Sequence, residues 1–323
     1  MSSTSQSTTF SDLGGNIYPF RRYVDESTLN WSAYNPSIAK NPLGEMAALV
    51  RSSNFFRQKD TNIILLTTGK RTRDRLWFSE VVPETLELSN LREVTVINPP
   101  EIPSMKGGED GRLFWREGGW YLTLVLHEPP IIRIPLMAMY RLDPVANTAT
   151  YLYSLPSPYP NRTEKNWMAP DTPSEFFDFV YGPSASIKNG QLSSGVDMSV
   201  SGQKTYLSGV RGGSGLVLQE DGTYLGVMHD VSVVTTKLWD AKSFCYRKTD
   251  DRRYRHYFTR HDEKGLVIEI SEPFVFQRHE IEFCAGLIER DSDLVLSWGS
   301  KDLFSAFAVI DKNKAVSLLK PLT

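Results

Sequence analysis

Cysteine is nearly missing from this chain. Cys245 and Cys284 are the only two in 323 residues, too few for a disulfide framework, and neither stands at metal-ligand spacing from any of the five histidines. Both read as ordinary thiols, although a count alone leaves a single disulfide open. No run of 18 apolar residues occurs, which excludes a membrane-spanning helix. The segment Ser2–Ser11 is rich in Ser and Thr but has no basic start followed by an apolar stretch. Residues 1–15 are therefore expected to form a frayed tail, and the protein to be cytoplasmic. Charge of one sign is also missing: 36 basic residues stand against 38 acidic ones, a formal net charge of −2. Without a like-charge block, neither nucleic acid nor a membrane surface is expected as partner, and a small neutral or anionic molecule is. Helical periodicity is almost absent. So are a nucleophile elbow, a metalloprotease helix and a dinucleotide fingerprint, and no cofactor or metal is expected.

What remains is a chain that folds, with 40% apolar and 11% aromatic residues. Short apolar and β-branched runs bounded by Gly, Asp, Asn and Pro recur from end to end, as strands do. Examples are 46–51, 112–115, 120–126, 137–142, 223–229, 256–260, 284–289, 293–298 and 306–310. Arg116-Glu117-Gly118-Gly119, Gln219-Glu220-Asp221-Gly222 and Arg290-Asp291-Ser292 are tight polar turns that accept positive φ, so they join antiparallel neighbours. Such hairpins recur roughly every 50 to 65 residues, blade spacing rather than sandwich spacing. The expectation is an all-β chain: a single five-bladed β-propeller over residues 16–323. A large sandwich or two β domains is the alternative.

In a propeller the starts of the inner strands converge, which directs attention to charged groups next to apolar strands, where burial is otherwise costly. Lys106-Gly107-Gly108-Glu109-Asp110-Gly111-Arg112 sets two carboxylates before such a strand, with glycines that let the backbone bend closely around a ligand. Asp110 is the candidate general acid; a plain hairpin turn explains the local sequence equally well. Glu164-Lys165-Asn166-Trp167 combines a cation, an amide and an aromatic suited to an anion or a sugar, or is a surface loop with one buried Trp anchor. Arg211-Gly212-Gly213-Ser214-Gly215 offers backbone N–H groups and a charge to an anion, or is a flexible hairpin. His229 and Asp230 end an apolar strand, a place where a lone histidine is commonly structural. Arg253, Arg255 and His256, with Tyr257 beside them, form a basic cluster that would receive phosphate or lie on a solvated face. Asp302 follows the strand ending at Trp298.

Taken in order, these segments resemble the β-mannoside phosphorylases of glycoside hydrolase family 130 and the related mannosyltransferase/phosphorylases of glycosyltransferase family 108. Asn35-Pro36-Ser37 followed by a strand ending in Arg51 matches the family's first blade. Glu109-Asp110-Gly111-Arg112 matches its Glu-Asp-Pro-Arg, with Gly in place of Pro. Lys165, His229 and Asp302 match its phosphate-contacting Lys, strand-terminal His and late Asp. The family's Arg-Asn pair has only the reversed Asn161-Arg162 as counterpart. The resemblance implies a five-bladed propeller and inverting chemistry on β-mannosides, β-1,2 in linkage, with inorganic phosphate or mannose 1-phosphate as partner. Asp110 would be catalytic; Asn35, Ser37, Glu109, Arg112, Asn166, Trp167, Asp230 and Asp302 would bind the sugar. Arg51, Lys165, Arg211, His229, Arg255 and Tyr257 would hold the phosphate. A GDP-mannose-dependent transferase, a β-mannoside hydrolase and a non-catalytic sugar-binding propeller, with Trp167 and Trp239 as platforms, are the alternatives.

Overall fold

The computed structural model describes residues 7–20, 32–57, 64–66, 73–100, 108–126, 136–155, 165–195, 207, 209–240 and 245–322. The first strand, β1 (Asn16–Pro19), is set apart from those that follow it. β2 (Ser32–Lys40), β3 (Met46–Ser53), β6 (Asp74–Val81) and β7 (Arg92–Ile97) form one antiparallel meander, with the hairpin β4 (Phe55–Arg57) and β5 (Ile64–Leu66) inserted in it. β8 (Glu109–Arg116), β9 (Gly119–Leu126), β10 (Leu136–Asp143) and β11 (Thr148–Leu155) form the second. The two join at their outer edges, where β7 and β11 run parallel.

β12 (Phe179–Gly182), β13 (Ala185–Lys188) and β14 (Gln191–Gly195) make the third. The fourth is β15 (Val217–Leu218), β16 (Tyr224–Asp240), β17 (Cys245–His261) and β18 (Val267–Ile270), extended by β22 (Lys320–Pro321). β19 (Glu282–Arg290), β20 (Asp293–Ser300) and β21 (Phe304–Asp311) make the fifth, and β1 pairs with β21 to complete it. The single helix among the described residues, α1 (Lys312–Ser317), is capped by the Asp311 carboxylate, which accepts from the Lys314 amide.

The predicted turns form as expected. Glu117 and Gly118, Gly222 and Asp291 all take positive φ between antiparallel partners. Strand lengths depart from expectation at 223–229 and 256–260, which are the inner ends of two 17-residue strands paired along their whole length. Beyond Asp230 the two strands go on pairing with each other, out to Asp240 and Cys245.

The meanders meet through their first strands, and the contacts run in a cycle. The Ser37 hydroxyl accepts from the Leu113 amide of β8 and donates to the Ala285 carbonyl of β19. The Leu216 amide donates to the Ala169 carbonyl at 2.9 Å and the Leu216 carbonyl accepts from the Asp171 amide at 2.8 Å, joining the segments that open the third and fourth meanders. A Cβ on Gly213 would meet the Val227 carbonyl at 2.4 Å and the Cys284 carbonyl at 3.4 Å, so only glycine permits that approach. Apolar side chains fill the space between meanders, which is why β3 is buried over its whole length and reads as a continuous rather than alternating run.

The frayed tail expected through residue 15 is corrected over 9–15. Phe10 is fully buried against Phe274 and Phe276, and its amide donates to the Val275 carbonyl at 2.7 Å. One aromatic anchor outweighs the entropy of a short polar segment. Residues 1–6 lie outside the described residues.

Candidate active site

Asn35, Asp110 and Asn166 open three successive inner segments, and all three hold positive φ: 48°, 50° and 66°. In β2 the register slips between Tyr34 and Ser37, and in β8 between Glu109 and Arg112. These are β-bulges, which re-aim a side chain at the rim of a sheet. Asn and Asp tolerate the left-handed region better than other residues that carry a Cβ. The Asn-Pro and Asp-Gly dipeptides are thus the local signals for two equivalent kinks. Gly111 contributes through its size, since a Cβ there would stand 2.5 Å from a Leu49 methyl. The family's Pro would need that leucine to move.

The kinks bring Asn35 and Asp110 together with Arg51. Asp110 Oδ1 accepts from Arg51 Nη1 at 2.8 Å and from Asn35 Nδ2 at 3.2 Å. Glu109 stands 3.7 Å from the same guanidinium nitrogen. On the far side, Arg51 Nη2 donates to both oxygens of Asp74 at 3.0 Å. Asp74 also accepts from the Ser53 hydroxyl, which in turn lies 2.6 Å from the Tyr34 hydroxyl. Burial holds the Tyr34 hydroxyl well above its ordinary pKa, with Arg51 opposing and the carboxylates of Asp302 and Asp74 adding to the rise. Asp302 is thereby placed in the same neighbourhood. Burial also raises Asp74.

Arg112, two residues along β8, is buried and donates from Nη2 to Asn166 Oδ1 at 3.1 Å. Its guanidinium lies 4.5 Å over the Phe283 ring. Burial lowers its pKa to about 10, which leaves it a cation at neutral pH. Among the described residues, Arg112 Nε and Nη1 have no hydrogen-bond partner, and neither has His229 Nδ1. His229 is buried, stacked on Tyr254 and edge-on to Phe283. Burial first, then His256, Arg112 and Arg211, push its pKa well below the ordinary value. It is a neutral imidazole, and that corrects its expected role as one charge of a phosphate clamp.

Other expectations are redistributed by packing. Trp167 is 1% exposed and packs on Phe179 and Tyr181, so it anchors the core and presents no ring face to a sugar. Ser37 is buried, its hydroxyl engaged between β8 and β19. Arg51 is shared among carboxylates and is no free cation. Asp230 accepts from Arg255 Nε at 3.0 Å and from the Tyr257 hydroxyl at 2.8 Å. Alternation along β16 sets this trio on the face opposite His229. The expected basic cluster does not assemble, because His256 is fully buried among aromatic rings and Arg255 is held by Asp230. Lys165 and Arg211 are exposed. Lys106, Gly107, Asn161, Arg162, Glu164 and the side chain of Trp239 lie outside the described residues.

Sequence reasoning missed Asp74, Tyr34 and Phe283. Asp74 does open an apolar strand, the signal that selected Asp110, but basic neighbours on both sides masked it.

No family model matches the sequence, and no curated protein matches it. Solved structures do. β-1,2-Mannobiose phosphorylase from Listeria innocua is 12% identical, with TM-score 0.60 over 94% of this chain and 99% of that one. A structure from work on glycoside hydrolases within the GH130 family of mannoside phosphorylases, which target β-1,2-mannosidic linkages in Candida mannan, gives 0.60 at 12% identity, covering 98% of each chain. The chain has the fold of the family 130 mannoside phosphorylases. MPT-1, a GDP-Man-dependent mannosyltransferase from Leishmania mexicana, is similar at TM-score 0.54 and 11% identity, over 92% of this chain and 89% of that one. The fold is therefore shared by proteins of more than one named activity.

Proposed function

We propose that the protein is an inverting, mannoside-acting enzyme built on a five-bladed propeller, each meander one blade. It makes or cleaves β-mannosidic bonds, β-1,2 in linkage, by phosphorolysis or its reverse. The observation that carries the proposal is a buried cation with unused donors, Arg112, two residues from a carboxylate that Arg51 and Asn35 hold in place.

A buried guanidinium with two donor nitrogens unused suits an oxyanion such as phosphate. Arg211, which acts on His229 together with Arg112, and Lys165, next to Asn166 in sequence, are exposed and add positive charge. His229, being neutral, serves by Nδ1 as acceptor for a hydroxyl proton of the sugar or of hydrogen phosphate. In the phosphorolytic direction a phosphate oxygen attacks the anomeric carbon as the bond to the glycosidic oxygen breaks. Asp110, as general acid, delivers a proton toward that oxygen through a sugar hydroxyl. Mannose 1-phosphate and a shortened mannoside leave. Preorganised cations stabilise the approach of the anion, and the general acid contributes roughly 100- to 10,000-fold.

Water as nucleophile would not need the buried cation. A diphosphate donor finds less support, because Arg255 and His256 are engaged elsewhere. A simple sugar-binding module is disfavoured by the burial of Trp167.

The test is to incubate the protein with mannose 1-phosphate and mannose, and in parallel with GDP-mannose and mannose, following free phosphate and GDP. Phosphate release with formation of a β-1,2-linked disaccharide is the expected result. GDP release alone would replace phosphorolysis with transfer, and release from neither would overturn the proposal.

A further inference from the structure

Arg51 is one cation among three carboxylates, Asp74, Glu109 and Asp110. The arrangement is buried: the Arg51 side chain is 8% exposed and that of Asp74 is 2%. Asp74 takes both of its hydrogen bonds from Arg51 through a single guanidinium nitrogen, Nη2, which leaves Nη1 aimed at Asp110. The Tyr34 ring, 5.0 Å from the guanidinium carbon, packs beside it. Without Asp74 nothing else described fixes the rotation of that guanidinium on the side away from Asp110.

We propose that Asp74 is a positioning residue for Asp110, acting through Arg51: it orients the guanidinium and takes up part of its charge. This rests on Asp110 being the general acid. A general acid must carry its proton when the substrate is bound, and an undivided guanidinium 2.8 Å away holds a carboxyl in its anionic form. Asp74 divides that charge. The groups facing the pair are Arg51 and Ser53 of β3, Tyr34 and Asn35 of β2, Glu109 and Arg112 of β8, and Asp302 after β20.

Asp74→Asn removes the competing charge, so Asp110 binds its proton more weakly. Activity that needs protonated Asp110 is lost as pH rises, and in the variant that loss begins at lower pH. The high-pH limb of the kcat profile is expected to move down by about one pH unit, with kcat about tenfold lower and KM for the mannoside within about twofold. Titration of Asp110 is also read directly by carbon-13 NMR of the labelled carboxyl, assigned with Asp110→Asn, and the midpoint is expected to fall by the same amount.

Coincident titration curves in wild type and Asp74→Asn would overturn the proposal, as would a lowered kcat with an unmoved pH limb. Should Asp74→Asn fail to fold, Ser53→Ala serves: it removes one donor to Asp74, and a smaller shift in the same direction is expected, with an unchanged curve again overturning the idea. The NMR titration needs no turnover. An inactive wild-type protein would thus sink the functional proposal and still leave Asp74 tested.

Discussion

Two halves of the candidate site are built on opposite plans. On the side of the first two meanders, Arg51, Asp74, Asp110, Asn35 and Ser53 form a polar network in which nearly every donor meets an acceptor. Toward the fourth and fifth meanders, Arg112, His229 and His256 are equally buried yet keep ring and guanidinium nitrogens without partners among the described residues. A satisfied network is rigid and holds a geometry. A buried polar atom without a partner costs about 1–3 kcal/mol unless a water or a ligand completes it. The first half is held by its own hydrogen bonds, and the second keeps polar atoms that the described residues leave unmet.

Substitutions can break that contrast, and they rank by size. Asp110→Asn should lower turnover by at least about 100-fold while the thermal midpoint stays within a few degrees of wild type, because Asn still accepts from Arg51. Steady-state assays beside a melting curve check both halves of the statement. Arg112→Lys should raise the KM for phosphate about tenfold or more and change the KM for mannoside far less, since an ammonium cannot reproduce the planar fork. Equal effects on both would remove Arg112 from the anion site.

Trp167→Ala should cost about 3–5 kcal/mol of stability, as a core deletion does. If instead it raises the sugar KM without lowering stability, the ring is a binding platform after all.

The histidines give a pH test. His256, buried without partners, has its pKa pushed down to about 3, and buried His261 to about 4. A folded-state value below the unfolded one contributes stability that is present above about pH 6.5 and is lost as pH falls toward the folded value. Burial raises Glu282 to about 7 and Asp171 to about 6, and these act oppositely, adding stability as pH falls. His256→Phe isolates one member: between pH 6.5 and 5 it should lose about 2 kcal/mol less than wild type. Denaturant melts at the two pH values measure the difference, and parallel losses would contradict the buried neutral histidine. Smallest is Lys165→Ala, which should raise the phosphate KM about threefold, the effect of an exposed cation screened by water.

Much of this was legible in one dimension. Glu117-Gly118, Gly222 and Asp291 announce their turns because positive φ is a property of a residue and its chain neighbours. The Asn-Pro and Asp-Gly pairs at 35 and 110 announce their bulges for the same reason. The frayed tail was misjudged because Phe10 has partners more than 260 residues away, beyond any local pattern. Strands β16 and β17 run past their predicted bounds because they pair with each other as far as Asp240 and Cys245, and pairing between distant segments leaves no local signal.

The sequence by itself determined that the chain is all-β, where its hairpins turn, and that Asp110 stands at the mouth of an apolar strand. Only the tertiary structure decided what surrounds that carboxylate. Arg51 is 59 residues from Asp110 and 23 from Asp74 in sequence, yet one guanidinium serves both. The sequence offers His229 as a titratable group and Trp167 as an available ring; burial holds the first neutral and makes the second core. Charge state and accessibility depend on desolvation and on partners brought from distant strands, and those quantities come into being when the chain closes on itself.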